Sequence, residues 1–486
     1  MNSFYCFLFA FILPLTPVSA QTTINGIAPK HATKFATINK IVNFSNFKLE
    51  LIEKSPIDSL GNFQFKSTNN KAFLAVIEID NEYGYLYIDP TTPQYDLLFL
   101  NNEQTINPLR KKNIQLIFNN LDKDDLNTLI LDFNLRLDYF LYGDTAKIVR
   151  MAHRTQEFVD SLEQFKNQLI SYYGGVKKQY LHNYIRYSIG SIEQLTSTKD
   201  IEKNRLLTYN FYLHKMPVLY ENNAYMTFFN QFYDNTLSLP ESGNQEKIKF
   251  AINNLNSLEK LNEALSNDYF LKDSRIRELA IINGLSQVYY KNSFDPNNIL
   301  SILKEIENNS AFIEHKKISK NLIQTLTHLN KGTKAPIFNL TNQFNEQINL
   351  SKEKGKHIYL SFFTSDSPKS IMEMEVIKSL HEKYADNISF ISISLDKEKR
   401  NYINFTKEYA DYKWNICHYN FNHNIINDYQ IKNIPSYVLI DKNGIIDQAP
   451  AYSPIADGNS TSIEKTFFYI KKNNTSEKKF KIGGKN

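Results

Sequence analysis

The chain reads as a multidomain protein: a small antiparallel β-sandwich, an all-α middle domain and a C-terminal α/β domain. Three observations predict this. Residues 21–107 carry short runs of β-branched and aromatic residues separated by turn chemistry. From Pro108 to Asn330 the apolar residues recur at helical spacing. Beyond Gly332, apolar strand-like runs alternate with amphipathic stretches, the pattern of a layered α/β domain. A length of 486 residues suits about three domains, at roughly 150 residues each.

The first twenty residues differ from the rest. Phe4 to Leu15 is almost unbroken apolar sequence, too short to span a bilayer comfortably. It ends in Thr16-Pro-Val-Ser-Ala20, a small-x-small pattern followed by polar Gln21, so residues 1–20 are expected to be a signal peptide cleaved after Ala20. No Lys or Arg precedes the apolar run, which departs from the usual pattern. The expected location is therefore the periplasm, with no transmembrane segment after cleavage. With 42% apolar and 22% charged residues the rest reads as a globular protein. A net charge of +5, with basic residues scattered apart from Arg110-Lys-Lys112 and a tail at 476–486, argues against a nucleic-acid partner.

In the β region, Phe44 to Glu53, Asn62 to Phe65, Phe73 to Ile79 and Tyr83 to Ile88 read as strands. Asp58-Ser-Leu-Gly61, Ser67-Thr-Asn-Asn70 and Asp80-Asn81 read as the turns between them. In the middle region (108–331), Leu126, Ile130, Phe133, Leu137 and Phe140 fall on one helical face, as do Phe158, Leu162, Phe165 and Leu169. Further stripes run over 180–195, 255–265, 276–290 and 299–306, without a fixed repeat. The aromatic run Phe228 to Tyr233 suits a buried core, although such a run could also line a small-ligand groove.

In the C-terminal region (332–475), the strand His357-Ile-Tyr-Leu-Ser-Phe-Phe363 leads through Thr364-Ser-Asp-Ser-Pro-Lys-Ser370 into a helix. Downstream lie Asp428-Tyr-Gln-Ile-Lys-Asn-Ile-Pro435, the apolar run Ser436 to Ile440 and the turn Asp441-Lys-Asn-Gly444. This order resembles the thioredoxin-like redoxins of bacterial cell envelopes, the TlpA-like family of the cytochrome-maturation thioredoxins. Gly332-Thr-Lys-Ala-Pro-Ile-Phe338 is similar to the family's G-x-x-A-P-x-F entry. Ile57 to Phe65 resembles the D-x-x-G-x-F-x-F hairpin of the small β domains that precede such redoxins. The resemblance implies a thioredoxin-like α/β fold, a cis Ile434–Pro435 bond and thiol–disulfide chemistry. Registering Phe362 and Glu373 on the family's F-W-A-S-W-C-x-P-C-x-x-E pattern puts Ser367 and Ser370 at the two cysteine positions.

A hydroxyl forms no disulfide, so this register removes two-electron thiol exchange from the expected site. The chain has two cysteines, Cys6 and Cys417, and the first leaves with the signal peptide. Ser367 before Pro368 suits a helix N-cap, and Ser370 with Glu373 has capping-box spacing; capping alone accounts for both serines. Thr364 and Ser367 have the spacing of the peroxiredoxin threonine and peroxidatic cysteine, which excludes that peroxidase chemistry too. No base or Gly-x-Ser-x-Gly elbow accompanies Ser367 to make it a hydrolase nucleophile, so no catalytic residue is assigned. Cys417, His418 and His423 match no common zinc spacing, and neither a nucleotide loop nor an HExxH nor an EF-hand loop occurs; no metal or cofactor is expected.

Two functions from different classes follow. One is a binding protein whose Ser367, Ser370, Ile434 and Pro435 receive an extended envelope polypeptide or partner protein, the backbone beside Pro435 adding a strand. The other, implied by the resemblance, is a thiol–disulfide oxidoreductase or antioxidant protein resting on Cys417. Small-ligand binding by the helical region is a third expectation.

Overall fold

Alternating apolar and polar residues build two stacked sheets from the first hundred described residues. The computed structural model describes residues 21–100, 109, 111–143, 156–196, 201–238, 243–353, 355–456 and 462–482, with 196, 201 and 475–482 in backbone only. The expected signal peptide lies outside these. The strands are β1 (Thr22–Ile27), β2 (Phe35–Asn43), β3 (Lys48–Pro56), β4 (Asn62–Ser67), β5 (Phe73–Ile79), β6 (Glu82–Ile88), β7 (Gln94–Phe99), β8 (Lys112–Asn113) and β9 (Leu116–Phe118). One sheet has the order β4-β1-β7-β9, the other β3-β2-β5-β6-β8. Ile24, Phe65, Ile77, Leu86 and Tyr95, on alternate positions, are fully buried between them. Pairing is antiparallel except for β1 with β7 and β6 with β8, which are parallel.

Three expectations are corrected here. Phe44 to Glu53 is not one strand: residues 44–47 form the turn between β2 and β3. There Asn43 and Asn46 accept backbone N–H groups two residues on, and Phe47 takes φ 51°. The β region also runs past 107 to Phe118, because Ile114 and Leu116 are short apolar insertions into the sandwich core. The tail expected from 476 instead continues the last helix to Ile482, since no helix breaker intervenes. The hairpin turn matches its sequence reading: Asp58 Oδ1 accepts from the Leu60 and Asn62 amides, and Gly61 supplies φ 91°.

The middle is helical: α1 (Leu126–Tyr142), α2 (Gln156–Tyr173), α3 (Gln179–Thr196), α4 (Ile201–Tyr212), α5 (Asn223–Phe232), α6 (Gln245–Asn253), α7 (Leu258–Ser266), α8 (Ser274–Val288), α9 (Pro296–Asn309) and α10 (Ile313–Thr327). The stripes of α1 and α2 pack on one another, with Phe140 stacked on Phe165 at 4.5 Å. Phe228, Phe229, Phe232 and Tyr233 are all buried, so the aromatic run is core and lines no groove.

Residues 339–482 form the α/β domain: β10 (Asn339–Thr341), β11 (Gln347–Asn349), β12 (His357–Phe363), α11 (Pro368–Tyr384), β13 (Ile388–Ser394), α12 (Lys399–Glu408), β14 (Asn415–His418), α13 (His423–Asp428), β15 (Ser436–Ile440), β16 (Ile446–Gln448) and α14 (Ile463–Ile482). The sheet order is β14-β13-β12-β15-β16. β12, β13 and β14 are parallel; β15 and β16 are antiparallel additions. β12 is buried on both faces, with Leu360 and Phe362 in one core and Tyr359 and Phe363 in the other.

Candidate functional site

β12 ends at Phe363, and Thr364, Ser365 and Asp366 carry the chain from the end of this central strand to the start of α11. Ser367 is the N-cap of that helix, with β-region φ −89° and ψ 111°, and Pro368 occupies the first turn. The Ser367 hydroxyl oxygen accepts the Ser370 backbone N–H at 3.3 Å. Ser370 is buried (1% exposed) and its Oγ has no hydrogen-bond partner. Glu373 does not cap back to Ser370, as the spacing had suggested. Its carboxylate is buried, accepts the Tyr437 hydroxyl, and has Ser453 Oγ at 3.5 Å and Lys369 Nζ at 4.0 Å. Burial, followed by that carboxylate, drives the Tyr437 phenol well above its usual pKa, so the phenol keeps its proton.

Pairing of Phe362 with Ser436 sets the start of β15 beside the end of β12, so Ile434 and Pro435 lie at the same end of the sheet as the start of α11. The Ile434–Pro435 peptide bond is cis, as is Ala449–Pro450. Ile434 is half-buried, and neither its N–H nor its C=O bonds another backbone group among the described residues. The four sequence-derived residues thus converge on one end of the domain as two pairs.

Sequence reasoning did not find Asp396, which fixes the loop before the helix. This buried carboxylate accepts the Ser365 backbone N–H at 2.8 Å, the Ser365 hydroxyl at 2.9 Å and the Ser394 hydroxyl at 2.6 Å. Its own carbonyl accepts from His418 Nε2 at 2.8 Å, while His418 Nδ1 accepts the Asn420 N–H at 3.0 Å. Both His418 nitrogens are therefore committed to the protein. Cys417 is fully buried in β14, and burial pushes its thiol up to about 12. Among the described residues no three His, Cys, Asp or Glu side chains converge as metal ligands. No helix of the described residues is long and apolar enough to cross a membrane.

Residues 355–446 match a family model described as thioredoxin-like. Over 118 residues the chain is 30% identical to "Thiol-disulfide oxidoreductase ResA" of Bacillus thuringiensis subsp. konkukian, covering 67% of that protein and 24% of this chain. The chain belongs to the thioredoxin-like redoxin family. A Bacillus cereus protein of the same name is 30% identical to this thioredoxin-like chain over 114 residues, 65% of its own length and 23% of the chain. "Thioredoxin-like protein YneN" of Bacillus subtilis is 27% identical over 134 residues, 76% of its length and 26% of this chain. The chain thus spans about two thirds of the Bacillus cereus relative it matches, and the match itself takes in about a quarter of the chain. Among solved structures, a putative thiol-disulfide oxidoreductase from Bacteroides vulgatus aligns over 30% of this chain and 99% of its own, at 23% identity and a TM-score of 0.27.

Proposed function

We propose that the thioredoxin-like domain binds an extended polypeptide at the end of the sheet shared by Ser367, Ser370, Ile434 and Pro435, and that it exchanges no disulfides. The site is expected to act in the periplasm after removal of residues 1–20, on an envelope polypeptide or partner protein. One observation carries this reading: serines stand at the positions the family register gives to sulfur, and the one cysteine beyond residue 20, Cys417, is buried with a raised pKa. The unpaired backbone groups of Ile434 support strand addition, in which main-chain hydrogen bonds supply the affinity.

A second reading is favoured by the relatives' names: a thiol–disulfide oxidoreductase. It would require Cys417 to leave its core and form an intermolecular mixed disulfide, since one thiol closes no internal bridge.

The two readings separate in one set of measurements on residues 21–486. With dithiothreitol and insulin, no reductase turnover above background is expected. Turnover that disappears in Cys417→Ser establishes the oxidoreductase reading instead. With reduced, carboxymethylated lactalbumin as an unfolded probe, binding is expected, and Ile434→Pro, which removes the N–H donor, should weaken it about tenfold. Unchanged binding by a variant whose melting curve is intact places the polypeptide site elsewhere.

A further inference from the structure

A cleft of about 1110 Å³ opens between the β region and the helices, away from the thioredoxin-like domain. The turn between β4 and β5, the connection between α2 and α3, and the first turns of α8 and α10 form its walls. Arg275, in the first turn of α8, is half-buried in this cleft, its guanidinium 4.6 Å from the centre of the Phe312 ring. Among the described residues that guanidinium has neither an ion pair nor a hydrogen bond, whereas the nearby Lys178 is paired with Asp89 at 2.6 Å. A stacked guanidinium presents a rigid fork of donors suited to a carboxylate. The N-terminus of α10 reaches the same end of the cleft, and its N-cap, Phe312, supplies no side-chain acceptor for the free amides.

The aromatic wall is held rigid from behind. Tyr220 Oη lies 2.7 Å from His315 Nε2, and His315 Nδ1 lies 2.6 Å from Glu278 Oε1, with the imidazole fully buried. An ionised Glu278 only accepts, so in the neutral imidazole Nδ1 carries the proton and Tyr220 donates to Nε2. Tyr180 is anchored likewise, its hydroxyl 3.2 Å from the Glu221 carbonyl. Two rings fixed in this way bind an apolar or aromatic side chain without first being ordered.

Glu314, in the first turn of α10, lines the same cleft, and its Oε2 is buried without a partner. The last residue of a polypeptide offers a carboxylate to Arg275 and an apolar or aromatic side chain to the ring wall. Its preceding side chains would fill a cleft too large for a single amino acid. We propose that this cleft binds the C-terminal end of a polypeptide, with Arg275 receiving the terminal carboxylate and Tyr220 serving as a fixed wall.

The test uses an N-terminally fluorescein-labelled hexapeptide of alternating serine and phenylalanine, made as the free acid and as the C-terminal amide. Fluorescence polarisation with residues 21–486 should show the acid binding about tenfold to a hundredfold more tightly than the amide. Arg275→Gln should remove that preference, and Arg275→Lys, which keeps charge but loses the fork, should restore part of it. Ile434→Pro should leave it unchanged, which separates this site from the one proposed in the thioredoxin-like domain. Equal binding of acid and amide overturns the proposal, as does free-acid binding that survives Arg275→Gln. No binding of either peptide up to about 1 mM, the weak end of specific recognition, also overturns it. Should Arg275→Gln fail to fold, the acid–amide comparison on the unmodified chain decides alone.

Discussion

The Tyr437 hydroxyl donates to the buried Glu373 carboxylate, tying the strand after Pro435 to the helix that begins at Ser367. Tyr437 is itself stacked on Tyr359 of the central strand, with ring centroids 5.3 Å apart and planes 1° from parallel. The two halves of the candidate site therefore share one buried polar contact inside an aromatic layer. Tyr437→Phe keeps the stacking but removes a donor from a carboxylate that is 2% exposed. It should destabilise the protein by about 2 kcal/mol, the usual worth of a hydrogen bond to a charged group. Urea unfolding would show this as a lower midpoint at unchanged slope. Glu373→Gln retains an acceptor without the charge and should cost less.

The two serines should respond in opposite ways. Ser367 caps the helix by accepting the Ser370 amide, so Ser367→Ala should cost about 1 kcal/mol. Ser370 Oγ is buried and unbonded, so Ser370→Ala removes an unsatisfied polar atom and should be neutral or stabilising by up to about 1 kcal/mol. Thermal melts of both variants check this. A loss at Ser370 equal to that at Ser367 would mean that its hydroxyl has a protein partner.

Local pattern made much of this architecture legible. The reading of β12 as His357 to Phe363 matches the structure to the residue, because five of its seven residues are apolar or aromatic and polar sequence bounds it. Leu126, Ile130, Phe133 and Phe140 are buried as their spacing implied. What remained hidden depends on residues far apart in the chain. Asp396 acts on Ser365 across 31 positions, and Tyr220 meets His315 across 95. A Ser, Asp or His offers no periodicity by which such a partner could be named. The Phe44 to Glu53 error has a local cause instead: Asn43 and Asn46 side chains stabilise a turn inside an apolar-looking run.

A pH dependence should arise in the β region, at His31. Asp80 and then Glu82 hold its imidazolium, raising its pKa from 6.5 to about 9 against the cost of burial. Glu82 Oε2 makes the hydrogen bond, 3.1 Å from Nε2; Asp80, 3.7 Å from Nδ1, is too distant for one and acts by its charge. A pKa raised in the folded state gives stability that is fully present below 6.5 and lost as pH rises through about 9. Between about pH 6 and about pH 9.5 the protein should therefore lose about 3 kcal/mol that His31→Gln does not lose. Urea midpoints of both proteins across that range measure the difference. Parallel curves would place the folded pKa of His31 near its ordinary value.

The family register itself can be tested by restoring sulfur. If Ser367 and Ser370 occupy the two cysteine positions, Ser367→Cys combined with Ser370→Cys should close a disulfide under mild oxidant. The first side chain sits at the N-cap of α11 and the second in its first turn, and the cap hydroxyl already reaches the Ser370 amide. Closure requires Cα atoms about 4.4–6.8 Å apart, a spacing that a C-x-x-C at a helix start satisfies. In the reduced form, unpaired amides and the helix dipole should lower the pKa of the first thiol below the ordinary cysteine value of about 8.5. Lys369 adds a positive charge nearby, whereas the buried Glu373 carboxylate works against it. Thiol titration before and after oxidation reads the bridge, and the pH dependence of iodoacetamide alkylation reads the thiol pKa. Cys417, buried and raised to about 12, should stay unmodified while the chain is folded and so serves as the internal reference. A folded double variant that keeps both new thiols free under oxidant would show that the register is wrong. The placing of Ser367 and Ser370 in the binding site would fall with it, leaving the buried Cys417 and the unpaired Ile434 backbone as support.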